Sequence, residues 1–507
     1  MATIKRIYVL DNGIFFLLVV LLFGCTKVSQ KDKKSIIFSS QSISEIDSFA
    51  NRLKEIYHVP GLAIAIVQGD SLFSSTYGIK NEKGEPLLVS TAIATGSLSE
   101  PVLAYAALRL VQDGKIDLKD KITAYLPYFK MQGEGYKKMR IHQLLTHSSG
   151  IENYTVFYDN PSFALNAVET TTRSIQTQKP RWELPDVQVL RSAYNYDILA
   201  DLIGKVTKQP FENFVQQEIF RPIHMDNSAF YKLKGAAAPF YTSNYLNYDY
   251  KEGSTYPYNR EHGGSSGLHA STADLAQWAY QVLHKDNSIF FSKELKTSKY
   301  TAVGFGWDIN TEVNGRDIFT KGSSIGGFNA QMIMIPASKM AVIVLSNINS
   351  DFNCSKIAMK LARWLDKRDD LSLKVPIHLK MAKRIEETND IPTTIALFKK
   401  LKRDAPSAYD FSQTSLLQLG TNLLHKESRI DQAVELLKFC VEEFPQSAKV
   451  RLTLAEGYLQ RHDLKSCREN IAHAMLAPED TVNRSAQMRY LSEKIEILEE
   501  KKQITKK

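Results

Sequence analysis

The sequence predicts an α+β domain followed by an all-α region of helical repeats, and three observations carry that prediction. Residues 59–77 read as a strand, a tight turn and a second strand, and further strand-like runs cluster between 304 and 345. Between these two groups, helical segments alternate with loops from Val102 to about Phe230. From about Val375 the texture becomes continuous helix with a self-similarity at 34 residues. A chain of 507 residues has room for two or three such units.

Taken in order, residues 1–24 read as a processing signal. Lys5 and Arg6 form a basic start, and Ile14 to Phe23 is an apolar run too short to span a bilayer comfortably. The run ends in Leu22-Phe23-Gly24-Cys25, which resembles the lipobox of a bacterial lipoprotein. That resemblance implies acylation of Cys25, a lipid-anchored membrane protein and a place in the bacterial cell envelope, periplasmic or surface-exposed. A plain uncleaved anchor is the alternative. Residues 25–41, rich in Ser, Lys and Gln, read as a flexible tether. Cys354, Cys440 and Cys467 are an odd set without metal-ligand spacing and read as small buried residues.

The main domain is expected over 42–370. Ile43 to Tyr57 reads as an amphipathic helix, Val59 to Val67 as a buried strand, and Ser71 to Tyr77 as its partner. Then comes Thr95-Gly96-Ser97-Leu98-Ser99-Glu100, ahead of an apolar helical run that stops at Gly114. Pro101 falls in the first turn, where its missing N–H matters least. Ser97 therefore sits at a helix mouth, as a nucleophile or as a simple N-cap.

These stretches together resemble the serine β-lactamase and penicillin-binding-protein superfamily, in its class C and esterase-like branch. The matching residues are Pro60-Gly61-Leu62-Ala63-Ile64-Ala65, Ser97-Leu98-Ser99-Glu100 with Gly114-Lys115-Ile116-Asp117-Leu118, and Leu144-Leu145-Thr146-His147-Ser148-Ser149-Gly150. Further matches are Phe220-Arg221-Pro222-Ile223-His224-Met225 and the glycine-rich run at 263–275. The resemblance implies a central antiparallel sheet flanked by helices, with an all-helical lobe. It also implies a cleft where serine attacks an acyl group, helped by the Ser-x-x-Lys lysine, a Tyr-x-Asn loop and a Lys-Thr-Gly-like strand.

Three of those helpers are altered. Glu100 stands at the lysine position, and Arg191 and Ala193 stand at the tyrosine and asparagine positions. A two-residue slip that recruits Tyr194, Asn195 or Tyr196 instead is the competing alignment. Lys321-Gly322-Ser323 matches the strand motif, with Ser323 in place of the usual final glycine. Reversed charge at Glu100 and a new cation at Arg191 predict an ion pair from Glu100 to Arg191, Lys321 or both. His147 is read as structural, as the resemblance implies, with a catalytic role as the alternative. The tyrosine-rich loop from Tyr231 to Tyr258 is read as a lid packed on the sheet, with cleft lining as the alternative.

In the region 375–500, Ala433 aligns with Cys467, Leu424 with Tyr458, and Cys440 with Ala474. The pattern resembles tetratricopeptide repeats, which implies a protein-partner surface. Residues 501–507 are a basic tail. The net charge of +9 is otherwise spread along the chain, so no nucleic-acid footprint is expected, and no metal or cofactor motif is present. Three readings follow. The first is a pseudoenzyme that holds a small acyl or peptide ligand. The second is an active esterase or D-amino-acid peptidase using Ser97 with a rewired base. The third is a repeat-mediated scaffold.

Overall fold

The computed structural model describes residues 38–153, 162–182, 186, 188–233, 235, 237–255, 259–477 and 484–504. Cys25, the signal segment, the tether up to residue 37 and the end of the basic tail lie outside the described residues.

Helix α1 (Ser40–Tyr57) leads into the hairpin of β1 (Gly61–Gln68) and β2 (Ser71–Gly78). The short β3 (Ile93–Ala94) precedes α2 (Ser99–Gln112). A helical lobe follows: α3 (Ile122–Tyr125), α4 (Ile141–Leu145), α5 (Ala167–Ser174), α6 (Ala193–Thr207) and α7 (Phe211–Val215). The small hairpin of β4 (Tyr241–Ser243) and β5 (Tyr250–Glu252) then leads to α8 (Gly263–Ser266), β6 (His269–Ala270) and α9 (Thr272–His284). The chain returns through β7 (Leu295–Lys296), β8 (Thr301–Val303), β9 (Asp308–Thr311), β10 (Asp317–Ile325), β11 (Phe328–Ile335), β12 (Met340–Ser346) and β13 (Ile348–Asn349). Helix α10 (Cys354–Leu365) follows.

The main sheet has eight strands in the order β2-β1-β12-β11-β10-β9-β8-β7, all antiparallel. β1 is apolar on both faces because both are covered. Leu62, Ile64 and Ile66 pack with α1 and α10, while Ala63, Ala65 and Val67 face the core shared with α2 and α9. Each fully buried Leu or Ile here contributes about 1.5–3 kcal/mol, which makes β1 the anchor of the sheet. Two strand boundaries differ from expectation. The strand expected from Gly304 begins at Asp308, because Gly306 (φ +82°) turns the chain against Pro101. The strand expected over 316–320 runs on to Ile325 through the small polar residues Gly322, Ser323 and Ser324, which carry little strand propensity.

Beyond Val375 the chain is helical apart from a short parallel pairing of Val375–Pro376 with Tyr409–Asp410: α11 (Ile377–Thr388), α12 (Ile391–Asp404), α13 (Gln413–His425), α14 (Ile430–Glu443), α15 (Ala448–Gln460), α16 (Leu464–Leu476) and α17 (Arg484–Ile504). The aligned small residues sit where helices approach. Ala433, Cys440, Cys467 and Ala474 are fully buried, and a Cβ on Gly420 would meet Leu437 at 2.6 Å.

This helical region shares a compact unit with the sheet domain. The tyrosine-rich loop packs on the sheet at Tyr241, as expected, and also reaches the helical region, where it forms the seam. Tyr241 is buried with the sheet core, whereas Leu246 and Tyr248 enter the core of α11 and α13. None of its described tyrosines lines the Ser97 cleft. At the seam the buried Asp351 carboxylate accepts hydrogen bonds from Tyr248 (2.9 Å), Gln418 (3.0 Å) and Asn422 (2.8 Å).

Candidate active-site cleft

The cleft opens where the start of α2 meets β10 and the loop before α6. Gly96 adopts φ +50°, and a Cβ there would meet the Ser323 hydroxyl at 2.1 Å, so only glycine lets the two segments touch. Ser97 follows in a short 3-10 turn, and α2 proper begins at Ser99. The Ser99 hydroxyl accepts the Leu268 N–H at 3.0 Å, which fixes the helix start against the segment before β6. Ser97 and Glu100, one turn apart, both face the cleft.

Glu100 is buried and ion-paired with Lys321 from β10. Arg191 does not join them. It pairs with Asp308 at the more exposed rim of the cleft, which narrows the expected pairing to Lys321 alone. Burial by itself raises the Glu100 carboxyl. Lys321 and then His147 outweigh it and take the pKa down to about 2. Burial also lowers the Lys321 ammonium, which Glu100 opposes and Arg191 reinforces. With its pKa at about 2, Glu100 is an anion at neutral pH, and Lys321 is its ion-pair partner.

His147 completes the cluster. It leaves α4 in the left-handed region (φ +54°), which aims its ring at Glu100. Its Nδ1 accepts from the Asn195 amide (3.0 Å) and the Ser192 N–H (3.4 Å). The Asn195 carbonyl in turn accepts the Ser149 hydroxyl at 2.7 Å, which sets the amide's orientation. With Nδ1 used as acceptor, Nε2 keeps the proton and donates to Glu100 at 3.1 Å. Burial depresses the His147 pKa, in line with a neutral ring. His147, expected to be structural, and Asp308 are both cleft residues that the catalytic sequence motifs do not point to. The Leu-Leu-Thr-His pattern was a usable signal for the first; Asp308, one strand residue among many, offered none.

The alignment question is answered by side-chain direction. Arg191 and Ala193 line the cleft. Tyr194 and Tyr196 are buried in the lobe, and the Tyr196 hydroxyl donates to the Leu145 carbonyl at 2.8 Å. Asn195 is held behind His147, so the slipped register does not bring any of the three into the cleft.

Across the cleft, Lys321, Gly322 and Ser323 form one wall. β10 and β11 are joined by a two-residue turn, Gly326-Gly327, with φ +51° and +89°. Ile325, Ser323 and Lys321 therefore turn their backbone groups to β11, while Gly322 and Ser324 turn theirs to the other side. On that side β9 pairs only as far as Thr320, so the 321–325 edge is unpaired among the described residues. The Ser323 side chain points at Ser97, and its hydroxyl accepts the Ser97 N–H at 3.1 Å. The Ser97 hydroxyl makes no hydrogen bond among the described residues.

The cleft encloses about 510 Å³ and brings together Ser97, Glu100, Arg191, Ala193, Lys321, Gly322 and Ser323, along with His147 and Asp308. A smaller cavity of about 220 Å³ between α5, α6 and α7 contains none of these residues. Chemically, the Ser97 cleft sets a serine hydroxyl one turn from a carboxylate, with a lysine beyond it. That carboxylate is held as an anion, and the Ser97 N–H donates to the Ser323 hydroxyl.

Comparison with known proteins agrees with this architecture. The family model described as Beta-lactamase matches residues 46–360. Protein flp of Staphylococcus aureus (strain COL) is 25% identical over 335 residues, covering 62% of this chain and 65% of that protein. The match thus spans just under two thirds of that relative's length. Among solved structures, the octameric penicillin-binding protein homologue from Pyrococcus abyssi superposes with a TM-score of 0.56 at 22% identity, covering 68% of this chain and 82% of its own. Beta-lactamase/D-alanine carboxypeptidase from Pseudomonas syringae gives 0.54 at 15%, covering 64% of this chain and 98% of its own.

Proposed function

The chain belongs to the beta-lactamase family, and from that premise we propose that it is a catalytically impaired member whose cleft binds a ligand rather than cutting it. The observation that carries this reading is the Glu100–Lys321–His147 cluster in the place of a general base. A carboxyl with a pKa of about 2 is a poor acceptor for a serine proton. Losing a positioned base lowers a rate by about 10²- to 10⁴-fold. Losing one oxyanion donor lowers it by about 10²- to 10³-fold, and here Ser323 fills the Ser97 N–H. Such losses do not simply multiply, since the groups act as a unit.

The Cys25 lipobox supports a lipid-anchored protein of the cell envelope, so Cys25→Ser is expected to move the chain from the membrane fraction to the soluble one. The paired C-terminal helices support a partner-binding role of tetratricopeptide-like type. The competing reading, an active serine hydrolase of esterase or D-amino-acid peptidase type, draws on the Ser97 hydroxyl facing an open cleft. Hydrolysis of a chromogenic acyl ester separates the two. The impaired reading expects the same rate for the unaltered protein and for Ser97→Ala. A rate lost in Ser97→Ala favours the hydrolase.

A further inference from the structure

The anion-binding features of the cleft are filled by oxygens of the chain itself. Among the described lining residues the cations are Lys321 and Arg191, and each carries a carboxylate of this protein, Glu100 and Asp308. His147 directs its Nε2–H at Glu100. The Ser97 N–H is taken by the Ser323 hydroxyl. Glu100 thus stands where a ligand's carboxylate would meet Lys321, and Ser323 where a ligand's carbonyl oxygen would meet Ser97.

What remains for a ligand is polar but uncharged. The hydroxyls of Ser97 and Ser324 line the walls without a partner among the described residues, and those of Ser192, Ser265 and Ser266, which donate to chain carbonyls, keep lone pairs for a ligand's N–H. Gly322 and Ser324 present backbone N–H and C=O groups along the open edge of β10. Such a surface pairs with amides. A ligand carboxylate entering it would lose its hydration without a free cation in return. Displacing Glu100 from Lys321 would leave a buried carboxylate short of its partner.

We propose that the cleft selects an uncharged, amide-bearing chain, an internal peptide segment laid along residues 321–325, and rejects a ligand that ends in a carboxylate. The inference rests on the ligand-binding reading above and names the ligand class for the same site.

The test is a fluorescence-polarisation titration of the full-length protein with two dye-labelled peptides of identical uncharged sequence. One ends in a free carboxylate and the other in an amide. The amide form is expected to bind at least about tenfold more tightly, with an affinity that changes little between low and high salt. Glu100→Gln releases the Lys321 charge and is expected to narrow or reverse that ratio. Asp308→Asn releases Arg191 at the exposed rim and is expected to shift it in the same direction, so it decides the matter should Glu100→Gln not fold. Equal or tighter binding of the acid by the unaltered protein overturns the proposal. So does binding of neither peptide, or a ratio that stays fixed in the folded variants. Ester hydrolysis that depends on Ser97, found together with an amide preference, would defeat the impaired reading and leave the charge selection standing.

Discussion

Two buried carboxylates organise this molecule, and they are satisfied in opposite ways. Glu100 in the cleft is balanced by charge, with Lys321 as its counterion and a neutral His147 as a second donor. Asp351 at the seam with the C-terminal helices is surrounded mainly by neutral donors: Tyr248, Gln418 and Asn422, with His378 Nε2 at 3.3 Å. The first arrangement fills a catalytic position in an open cleft. The second ties together the tyrosine-rich loop, the segment after β13 and α13. A carboxylate whose donors come from several segments acts as a structural clamp, whereas one matched by a single cation sets the electrostatics of a pocket.

Breaking the clamp is expected to have the largest effect. Asp351→Ala leaves the buried donors of Tyr248 and Asn422 unpaired, at about 1–3 kcal/mol each, while Gln418 keeps Asn422 as an acceptor, so a loss of about 4 kcal/mol is expected. Chemical denaturation measures it, and limited proteolysis should show earlier cleavage around residues 366–376, where the sheet domain meets the helices. Lys321→Met comes next. It strands Glu100 with His147 alone and should destabilise by about 3 kcal/mol, measured the same way.

The contrast sharpens with pH. The folded-state pKa of Glu100 lies below the ordinary glutamate value of 4.5, at about 2. Its contribution is therefore fully present above about pH 4.5 and is lost as pH falls toward about 2, on the order of 3 kcal/mol in total. Denaturation of the unaltered protein and of Glu100→Gln across that window should converge as the pH drops. A constant gap between them would contradict the ion-pair account. The smallest effect belongs to the rim. The side chains of Arg191 and Asp308 are 49% and 36% exposed, so Arg191→Ala should change stability by no more than about 1 kcal/mol.

The same comparison explains what the sequence could reveal. The hairpin of β1 and β2, α2 and the late strands were legible because their periodicity and bounding glycines are local. The position of Glu100 was legible because three residues along a helix fix one face. Its choice of Lys321 over Arg191 was not, since that depends on how far the loop before α6 stands from β10. Asp308 as the partner of Arg191 and Asp351 as the seam clamp were invisible for the same reason. Their partners lie far along the chain, and nothing in an isolated aspartate announces them. The extension of β10 to Ile325 was hidden by residues chosen for the cleft rather than for strand propensity.

The proposed function requires that Ser97 is not an activated nucleophile. Intact-protein mass spectrometry after exposure to a fluorophosphonate probe tests it most directly. The account predicts no adduct on the unaltered protein beyond that found on Ser97→Ala. Stoichiometric labelling that disappears in Ser97→Ala would show an activated nucleophile and contradict it.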